Sequence, residues 1–280
     1  MDSNVVRALE YTAAKCRRNV LRMIEAGHAG HMGGALSCID IITTLYFHVM
    51  NIDPLNPALP GRDRFILSAG HKCMAQYAVL AERGFFDKGI LDTYGSFNTR
   101  LPGHPDMHKL PGIEANTGAL GHGLSIGLGM ALGLRLDGLK SKVFVLMGDG
   151  ELAEGSNWEA ASAAAHHGAD NLVLFVDCNG LQISGKTRDI MNMEPVTDRF
   201  SAFGWSVAEI DGNCIPDIAG VLEKVPFTPG KPSLIAARTV KAKGISFAEG
   251  VLKYHYWKPA GEELDRAISE IDRMIEEVKP

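Results

Sequence analysis

The amino-acid sequence predicts an α/β fold: a doubly wound, mainly parallel sheet with helices on both faces. Short apolar runs recur at 143–147, 172–177, 205–210 and 233–238, as in strands that are buried on both faces of a parallel sheet. Segments with helical spacing of apolar residues separate these runs, and this alternation is typical of a doubly wound sheet. No internal repeat or linker divides the chain, so the sequence predicts a single domain over residues 1–280.

The other elements follow from the same patterns. Apolar spacing predicts a helix over 5–24, ended by Gly27, and a second over 35–50, stopped by Pro54 and Pro57. A strand over 64–68 and helices over 74–83, 120–136 and 262–278 complete the prediction. The segments 95–118 and 246–259 have no clear periodicity, and long irregular segments inside a domain are usually functional.

Composition excludes several classes of protein. The chain is 46% hydrophobic and 22% charged, which is ordinary for a globular protein, and its net charge of -5 argues against nucleic acid as a partner. No apolar run approaches the roughly 20 residues that span a bilayer, and the first residues do not begin a signal peptide. The five cysteines are scattered, without a C-x-x-C pair. We therefore expect reduced thiols, a cytoplasmic location and no membrane contact.

Oxygen donors follow two of the predicted strands. Gly148 and Gly150 let the backbone turn tightly beside a ligand, and Asp149 between them lies at the carboxyl end of a strand, where open α/β sheets bind their ligands. Asn179 follows the next strand, so the two side chains can share one ion if the strands are neighbours. Magnesium prefers such oxygen ligands and leaves positions for phosphate oxygens. A helix that opens near Ser156 would direct its positive end at the same place. The sequence therefore predicts a site for a diphosphate and a divalent metal.

Four of the ten histidines lie in loops rich in glycine and proline: His28, His71, His104 and His255. Histidine can donate, accept and transfer protons near neutral pH, so these four are candidate functional residues. Taken singly, each is better explained as a loop histidine that bonds to water or backbone.

The chain resembles the N-terminal, diphosphate-binding half of transketolase, and in particular the smaller subunit of its split, two-gene form. The resemblance runs from about residue 5 to 259 and rests on segments that occur in order. These are 27–30 (GHAG), 62–68 (RDRFILS), 70–71 (GH), 102–105 (PGHP), 117–123 (TGALGHG), 148–155 (GDGELAEG), 177–182 (DCNGLQ) and 241–244 (KAKG).

The resemblance implies a thiamine diphosphate-binding fold, with Mg²⁺ or Ca²⁺ as the second cofactor and ketose phosphates as substrates. The coenzyme would act as the electron sink when a two-carbon ketol unit is cleaved from a ketose and passed to an aldose. The implied metal ligands are Asp149, Asn179 and the Leu181 carbonyl. The implied cofactor contacts are His71, Gly118, Leu120, Asp149, Gly150, Glu154, Asn179, Ile183 and His255. The implied catalytic residues are His28, His104 and His255, and Glu154 and Glu159 match positions that link paired active sites.

A partner subunit is expected on the same grounds. In transketolases a second α/β domain supplies the glutamate that activates the coenzyme, and this chain ends at Pro280 after strands for a single sheet. We therefore expect it to be inactive alone. A separate subunit with the pyrimidine-binding and C-terminal domains would complete an α2β2 enzyme, with the cofactor at the subunit interface.

Departures from the family pattern leave alternatives open. Ala29 stands at a usual proline, His31 and Met32 follow it, His122 replaces a common glutamine, and Tyr256 replaces a small residue. The changes in the first loop, at Ala29, His31 and Met32, are compatible with a transketolase-like enzyme for a specialised ketose, such as a sulfo-sugar or a branched-sugar phosphate. A thiamine diphosphate-binding module without turnover is a second alternative. A zinc hydrolase is a third, although no H-E-x-x-H spacing supports it.

Overall fold

A five-stranded, fully parallel sheet forms the centre of the computed structural model, which describes residues 1–280. Its strands are β1 (Arg64–Leu67), β2 (Val143–Gly148), β3 (Leu172–Cys178), β6 (Ser206–Asp211) and β7 (Ser233–Arg238), in the spatial order β1-β2-β3-β7-β6. Each neighbouring pair is parallel. The predicted fold class is confirmed, and every predicted strand lies within about two residues of its expected place. A hairpin of β4 (Leu181–Gln182) and β5 (Gly185–Lys186) was not predicted.

Ten helices surround the sheet. They are α1 (Ser3–Gly27), α2 (Met32–Ser37), α3 (Ile39–Thr44), α4 (Cys73–Arg83), α5 (Gly123–Leu136), α6 (Gly155–His166), α7 (Thr187–Ile190), α8 (Val196–Ala202), α9 (Ile215–Leu222) and α10 (Glu263–Val278). Short 3₁₀ turns lie at Gly70–Lys72, Lys88–Thr93, Gly150–Ala153 and Leu252–His255. No helix is both long and apolar enough to cross a lipid bilayer.

The single helix expected over 35–50 is wrong, because the chain breaks into α2, α3 and a π-helical turn at Leu45–Val49. Side chains at the first break compete for backbone carbonyls. The single Ser37 hydroxyl hydrogen is shared between Asp177 Oδ2 and the Gly34 carbonyl, which is 2.9 Å from Ser37 Oγ, and Cys38 Sγ donates to the same carbonyl at 3.3 Å. Such local bonds offer the backbone an alternative to a continuous helix.

Two hydrophobic cores lie on opposite faces of the sheet. Strand β2 divides its side chains between them: Phe144 and Leu146 face the core that contains α1 and α4, while Val145 and Met147 face the core that contains α5 and α6. Every residue of β2 and β3 is buried. This two-sided burial explains why both strands are continuous apolar runs in the sequence.

The register of the sheet places the predicted functional loops together. Strands β2 and β3 pair in parallel, with Gly148 opposite Asp177 at their carboxyl ends. The turn that follows β2 and the loop that follows β3 therefore leave the sheet side by side. The 3₁₀ turn that carries His71 follows β1, which is the other neighbour of β2.

Candidate active site

Asp149 contacts the loop that follows β3. Its carboxylate accepts a hydrogen bond from the Gly150 amide at 2.9 Å and one from the Gly180 amide at 2.7 Å. The second bond connects the turn after β2 to the loop after β3. Its donor, Gly180, stands between Asn179 and Leu181 in the sequence. Asn179 Oδ1 in turn accepts from the Leu181 amide at 3.1 Å, which closes the loop. The oxygens predicted to bind metal are thus carried by two backbone segments in direct contact.

Asp149 is a buried carboxylate without a counter-ion in the chain. It is 8% exposed, and no lysine, arginine or histidine forms an ion pair with it. Burial, with the neighbouring Asp177 charge, raises the pKa of Asp149 to about 6. Buried carboxylates are normally paired or bound to a metal. A carboxylate, an amide oxygen and a backbone carbonyl form a donor set that fits Mg²⁺ or Ca²⁺.

The Leu181 carbonyl also faces an ammonium group. Lys241 Nζ donates to this oxygen at 2.9 Å. A carbonyl oxygen has two lone pairs, so one remains for a metal ion.

A buried ion pair lies behind the Gly148–Gly150 turn. Lys72 Nζ is 2.5 Å from Asp177 Oδ2, and the two side chains are 3% and 0% exposed. Ser37 and Thr239 also donate to this carboxylate. Burial alone would raise the pKa of Asp177, but the Lys72 ammonium and these hydroxyl donors outweigh it and hold the pKa below its usual value.

Three imidazoles form a triangle beside this ion pair. The ring centroids of His31, His71 and His255 lie 5.4–5.6 Å apart, and the His71 and His255 rings are stacked. The Tyr256 ring lies 4.8 Å from that of His31. Burial, then the Lys72 charge, lowers the pKa of His71 to about 2, while burial and the Lys241 charge lower that of His255 to about 3. These two rings are therefore neutral near pH 7.

His104 lies against Gly118. A Cβ atom on Gly118 would lie 2.8 Å from the His104 ring, and the backbone there has φ +137°, so only glycine fits. Tyr77 Oη donates to the carbonyls of Pro102 and His104 and thereby holds the histidine loop. His28 is exposed at the end of α1, with a left-handed φ of 58°.

A buried glutamate connects the glycine-rich segments. Glu151 is 3% exposed and accepts hydrogen bonds from Ser68, from the Gly121 amide at 2.9 Å and from the Gly148 amide at 3.2 Å. It therefore joins the loop that contains Gly118 to the turn that contains Asp149.

The other predicted residues lie at the rim. Leu120 is half-buried before α5, and Glu154 packs against Gly121 at the start of α6. Glu159 is exposed on α6, and Ile183 is 70% exposed in the β4–β5 hairpin. The structure thus brings Asp149, Asn179 and Leu181 together and groups His71 with His255.

Sequence reasoning missed Lys72, Lys241, Asp177 and Glu151 as site residues, and it assigned no role to His31. Two signals were present in the sequence. Lys72 directly follows His71, and Asp177 ends a buried strand where only an ion-paired carboxylate is tolerated.

A parallel α/β sheet with a carboxylate, an amide oxygen and neutral imidazoles at the carboxyl ends of its strands places the chain in the class of open α/β proteins, which bind their ligands at that edge. The family model described as transketolase, thiamine diphosphate binding domain, matches residues 10–267. The chain belongs to this family, as its sequence segments predicted.

Two relatives cover nearly the whole chain. An apulose-4-phosphate transketolase subunit of Phocaeicola vulgatus is 43% identical over 274 residues, which are 98% of this chain and 97% of the relative. The 6-deoxy-6-sulfo-D-fructose transketolase subunit SqwG of a Clostridium species is 42% identical over 265 residues, or 95% of this chain and 96% of the relative.

Solved transketolases share the fold. That of Campylobacter jejuni superimposes with a TM-score of 0.88 at 33% identity, and that of Leishmania mexicana with 0.85 at 26% identity. The matches cover 97% and 96% of this chain but only 43% and 45% of those chains. The chain therefore spans less than half the length of the solved transketolases that it matches.

Proposed function

We propose that this chain is the diphosphate- and metal-binding subunit of a two-subunit transketolase-type enzyme. The enzyme transfers a two-carbon ketol unit from a ketose phosphate to an aldose acceptor. The observation that carries the proposal is the Gly180–Asp149 hydrogen bond, which sets a buried carboxylate without a counter-ion against the loop that carries Asn179 and Leu181, in a chain of this family.

In this proposal Asp149, Asn179 and the Leu181 carbonyl hold Mg²⁺ or Ca²⁺. The Gly150 amide and His71 contact the diphosphate of the cofactor, and the remaining predicted residues contact its rings. When bound, thiamine diphosphate supplies the electron sink for cleavage of a carbon–carbon bond next to a carbonyl. The chain's own contribution is to bind, to orient and to exclude water.

In this proposal His28, His104 and His255 contact the ketose that donates the two-carbon unit. His104, which lies over Gly118, and His28 at the end of α1 hydrogen-bond the hydroxyls or carbonyl oxygen of the ketose. His255 bridges the diphosphate and the sugar. The low pKa of the His71 and His255 rings suits neutral hydrogen-bonding groups rather than fixed cations.

A separate partner subunit completes the enzyme in this proposal. The apulose-4-phosphate and the sulfo-sugar transketolase relatives are themselves named as subunits, and each is nearly covered by this chain, whereas the solved transketolases are more than twice as long. The partner would carry the pyrimidine-binding and C-terminal domains in an α2β2 assembly, and residues 1–280 would act as one domain. A cytoplasmic location stays a prediction.

A specialised ketose is the favoured donor within this class. The relatives described above are named for apulose 4-phosphate and for a sulfo-sugar, and this chain places the His31 ring beside both His255 and Tyr256. A branched-sugar or sulfo-sugar phosphate donor is therefore the finer proposal, with ordinary ketoses such as xylulose 5-phosphate as the comparison.

Co-expression with the product of the adjacent reading frame tests the proposal. The purified complex is loaded with thiamine diphosphate and Mg²⁺, and ketol transfer is measured from xylulose 5-phosphate, a branched ketose phosphate and a sulfo-ketose. We expect transfer from at least one donor by the complex and none by this chain alone. A complex that retains cofactor yet transfers from no ketose would instead indicate a binding module without turnover.

A further inference from the structure

Lys241 is a buried lysine between the metal-loop carbonyl and a candidate catalytic histidine. It is 2% exposed. Its ammonium nitrogen lies 2.9 Å from the Leu181 carbonyl oxygen and 2.8 Å from His255 Nδ1. Sequence reasoning assigned it no role.

The backbone around Lys241 holds its side chain in place. The Ala242 amide donates to the Gly33 carbonyl at 2.9 Å, and the Gly250 amide donates to the Lys241 carbonyl at 3.0 Å. A Cβ atom on Gly33 would lie 3.2 Å from Lys241 Cε and 2.6 Å from the Tyr254 carbonyl oxygen. Glycine at position 33 therefore leaves the space through which the lysine stem reaches His255.

The contact defines which nitrogen of His255 carries the proton. An ammonium group has three donors and no acceptor, so His255 Nδ1 accepts a hydrogen bond from Lys241. A neutral imidazole that accepts at Nδ1 carries its hydrogen on Nε2. Nε2 has no partner within the chain, and the ring stacks on that of His71.

We propose that Lys241 is a positioning residue that holds His255 as its Nε2–H tautomer. His255 then presents a hydrogen-bond donor to an oxygen of the bound diphosphate or sugar, and it does not act there as a general base. The proposal rests on the proposed function only for the identity of that oxygen.

The same ammonium group ties this orientation to the metal-binding loop. Because Lys241 donates to the Leu181 carbonyl and to His255 together, a shift of the 179–182 loop moves the donor that holds the ring. His255 is thereby positioned relative to the diphosphate end of the cofactor.

Nitrogen-15 NMR of histidine-labelled protein, in complex with its partner, tests the tautomer directly. Long-range proton–nitrogen spectra of the wild type, Lys241→Met, Lys241→Arg and Lys243→Met are compared, and His255→Gln identifies the signals. Arginine keeps a donor at the same place. Lys243→Met is the matched control, because that side chain is 39% exposed and pairs only with Glu249 at 3.5 Å.

We expect the wild type, Lys241→Arg and Lys243→Met to carry the His255 proton on Nε2. In Lys241→Met the two ring nitrogens should share the proton, so that their resonances move toward each other. A wild-type proton on Nδ1, or unchanged resonances in Lys241→Met, would overturn the proposal. If Lys241→Met does not fold, the wild-type spectrum still decides, because a proton on Nδ1 excludes the accepted bond.

Kinetics supply a second measurement. In the assembled complex, Lys241→Met should lower kcat/KM for the donor on the order of 10- to 100-fold, since a misplaced reacting group costs that much. Failure of the wild-type complex to transfer ketol would refute the proposed function but leave the tautomer result intact. The two failures are therefore distinguishable.

Discussion

The Lys72–Asp177 pair offers a quantitative test of how the site is built. Replacement of Lys72 by methionine keeps the length of the side chain but leaves the Asp177 carboxylate, which is 0% exposed, without its cation. Removal of one partner of a buried ion pair costs about 3–5 kcal/mol, because the remaining charge is buried and uncompensated.

The structure places the expected cost at the lower end of that range. Asp177 keeps hydrogen bonds from Ser37, Thr239 and Asn179 after the lysine is lost. We therefore expect Lys72→Met to lower the free energy of unfolding by about 3 kcal/mol. For a chain of this size that is a fall in Tm of roughly 6–12 °C.

A double-mutant cycle separates the pair from its surroundings. Lys72→Met, Asp177→Asn and the double variant are unfolded in urea, and we expect the double variant to recover about 1–3 kcal/mol relative to the sum of the singles. Arg17→Met is the matched control, since Arg17 and Asp40 form another buried pair, with side chains 5% and 7% exposed, away from the histidines.

Cofactor binding distinguishes the two pairs. Both the lysine and the arginine variant should lose stability, but only Lys72→Met should also weaken thiamine diphosphate binding, because Lys72 Nζ lies 3.4 Å from where a Gly148 Cβ would be. A loss below about 1 kcal/mol, or strict additivity in the cycle, would refute the assignment of Lys72 as the counter-ion of a buried charge.

Further predictions use the same structure. Asp149→Ala should abolish metal-dependent retention of thiamine diphosphate, as measured by equilibrium dialysis, and retention by this variant would contradict the metal site. His104→Ala should retain the cofactor but raise KM for the ketose donor, as measured by steady-state kinetics. Glu151→Ala should lower the free energy of unfolding in urea by several kcal/mol, because each buried donor that it leaves unsatisfied costs about 1–3 kcal/mol. Glu159→Ala, at an exposed position, is the control and should change this free energy by no more than about 0.5 kcal/mol. The pKa of His71 lies at about 2 in the folded chain, below the ordinary value of 6.5. The unfolded chain thus binds more protons between these values, so stability falls as pH falls below about 6.5, by up to about 1.4 kcal/mol per pH unit, and urea titrations of His71→Gln should show a flatter slope.

The sheet could be predicted from sequence because its strands are buried on both faces. A continuous apolar run such as 143–147 has few other interpretations when helical segments flank it. The 35–50 segment failed for a local reason, since its apolar spacing continues through Ser37 and Cys38 although these side chains bond to the Gly34 carbonyl. The spacing of apolar residues gives no information on side chains that compete for backbone carbonyls.

Only those site residues could be predicted that directly follow a strand and carry an oxygen atom suited to a metal ion. Asp149 and Asn179 follow strands directly, so adjacency of the strands was enough to bring them together. Lys72, Lys241 and His31 reach the same place from three other segments, and their contacts depend on how α2, α4 and the loop after β7 pack. Sequence spacing carries no information on such distances, and a lone lysine is normally a solvated surface residue.

The two aspartates at neighbouring strand ends are not equivalent, and their partners decide which one can bind a cation. Asp177 is fully buried, its charge is already neutralised by Lys72, and hydroxyl groups donate to both of its oxygens. Asp149 receives only hydrogen bonds and has no counter-ion. Its charge is therefore the one that a divalent cation would neutralise. Sequence alone gives both residues the same position at the end of a buried strand, and only the packing of Lys72 beneath Gly148 separates the ion-paired carboxylate from the one proposed to bind a metal.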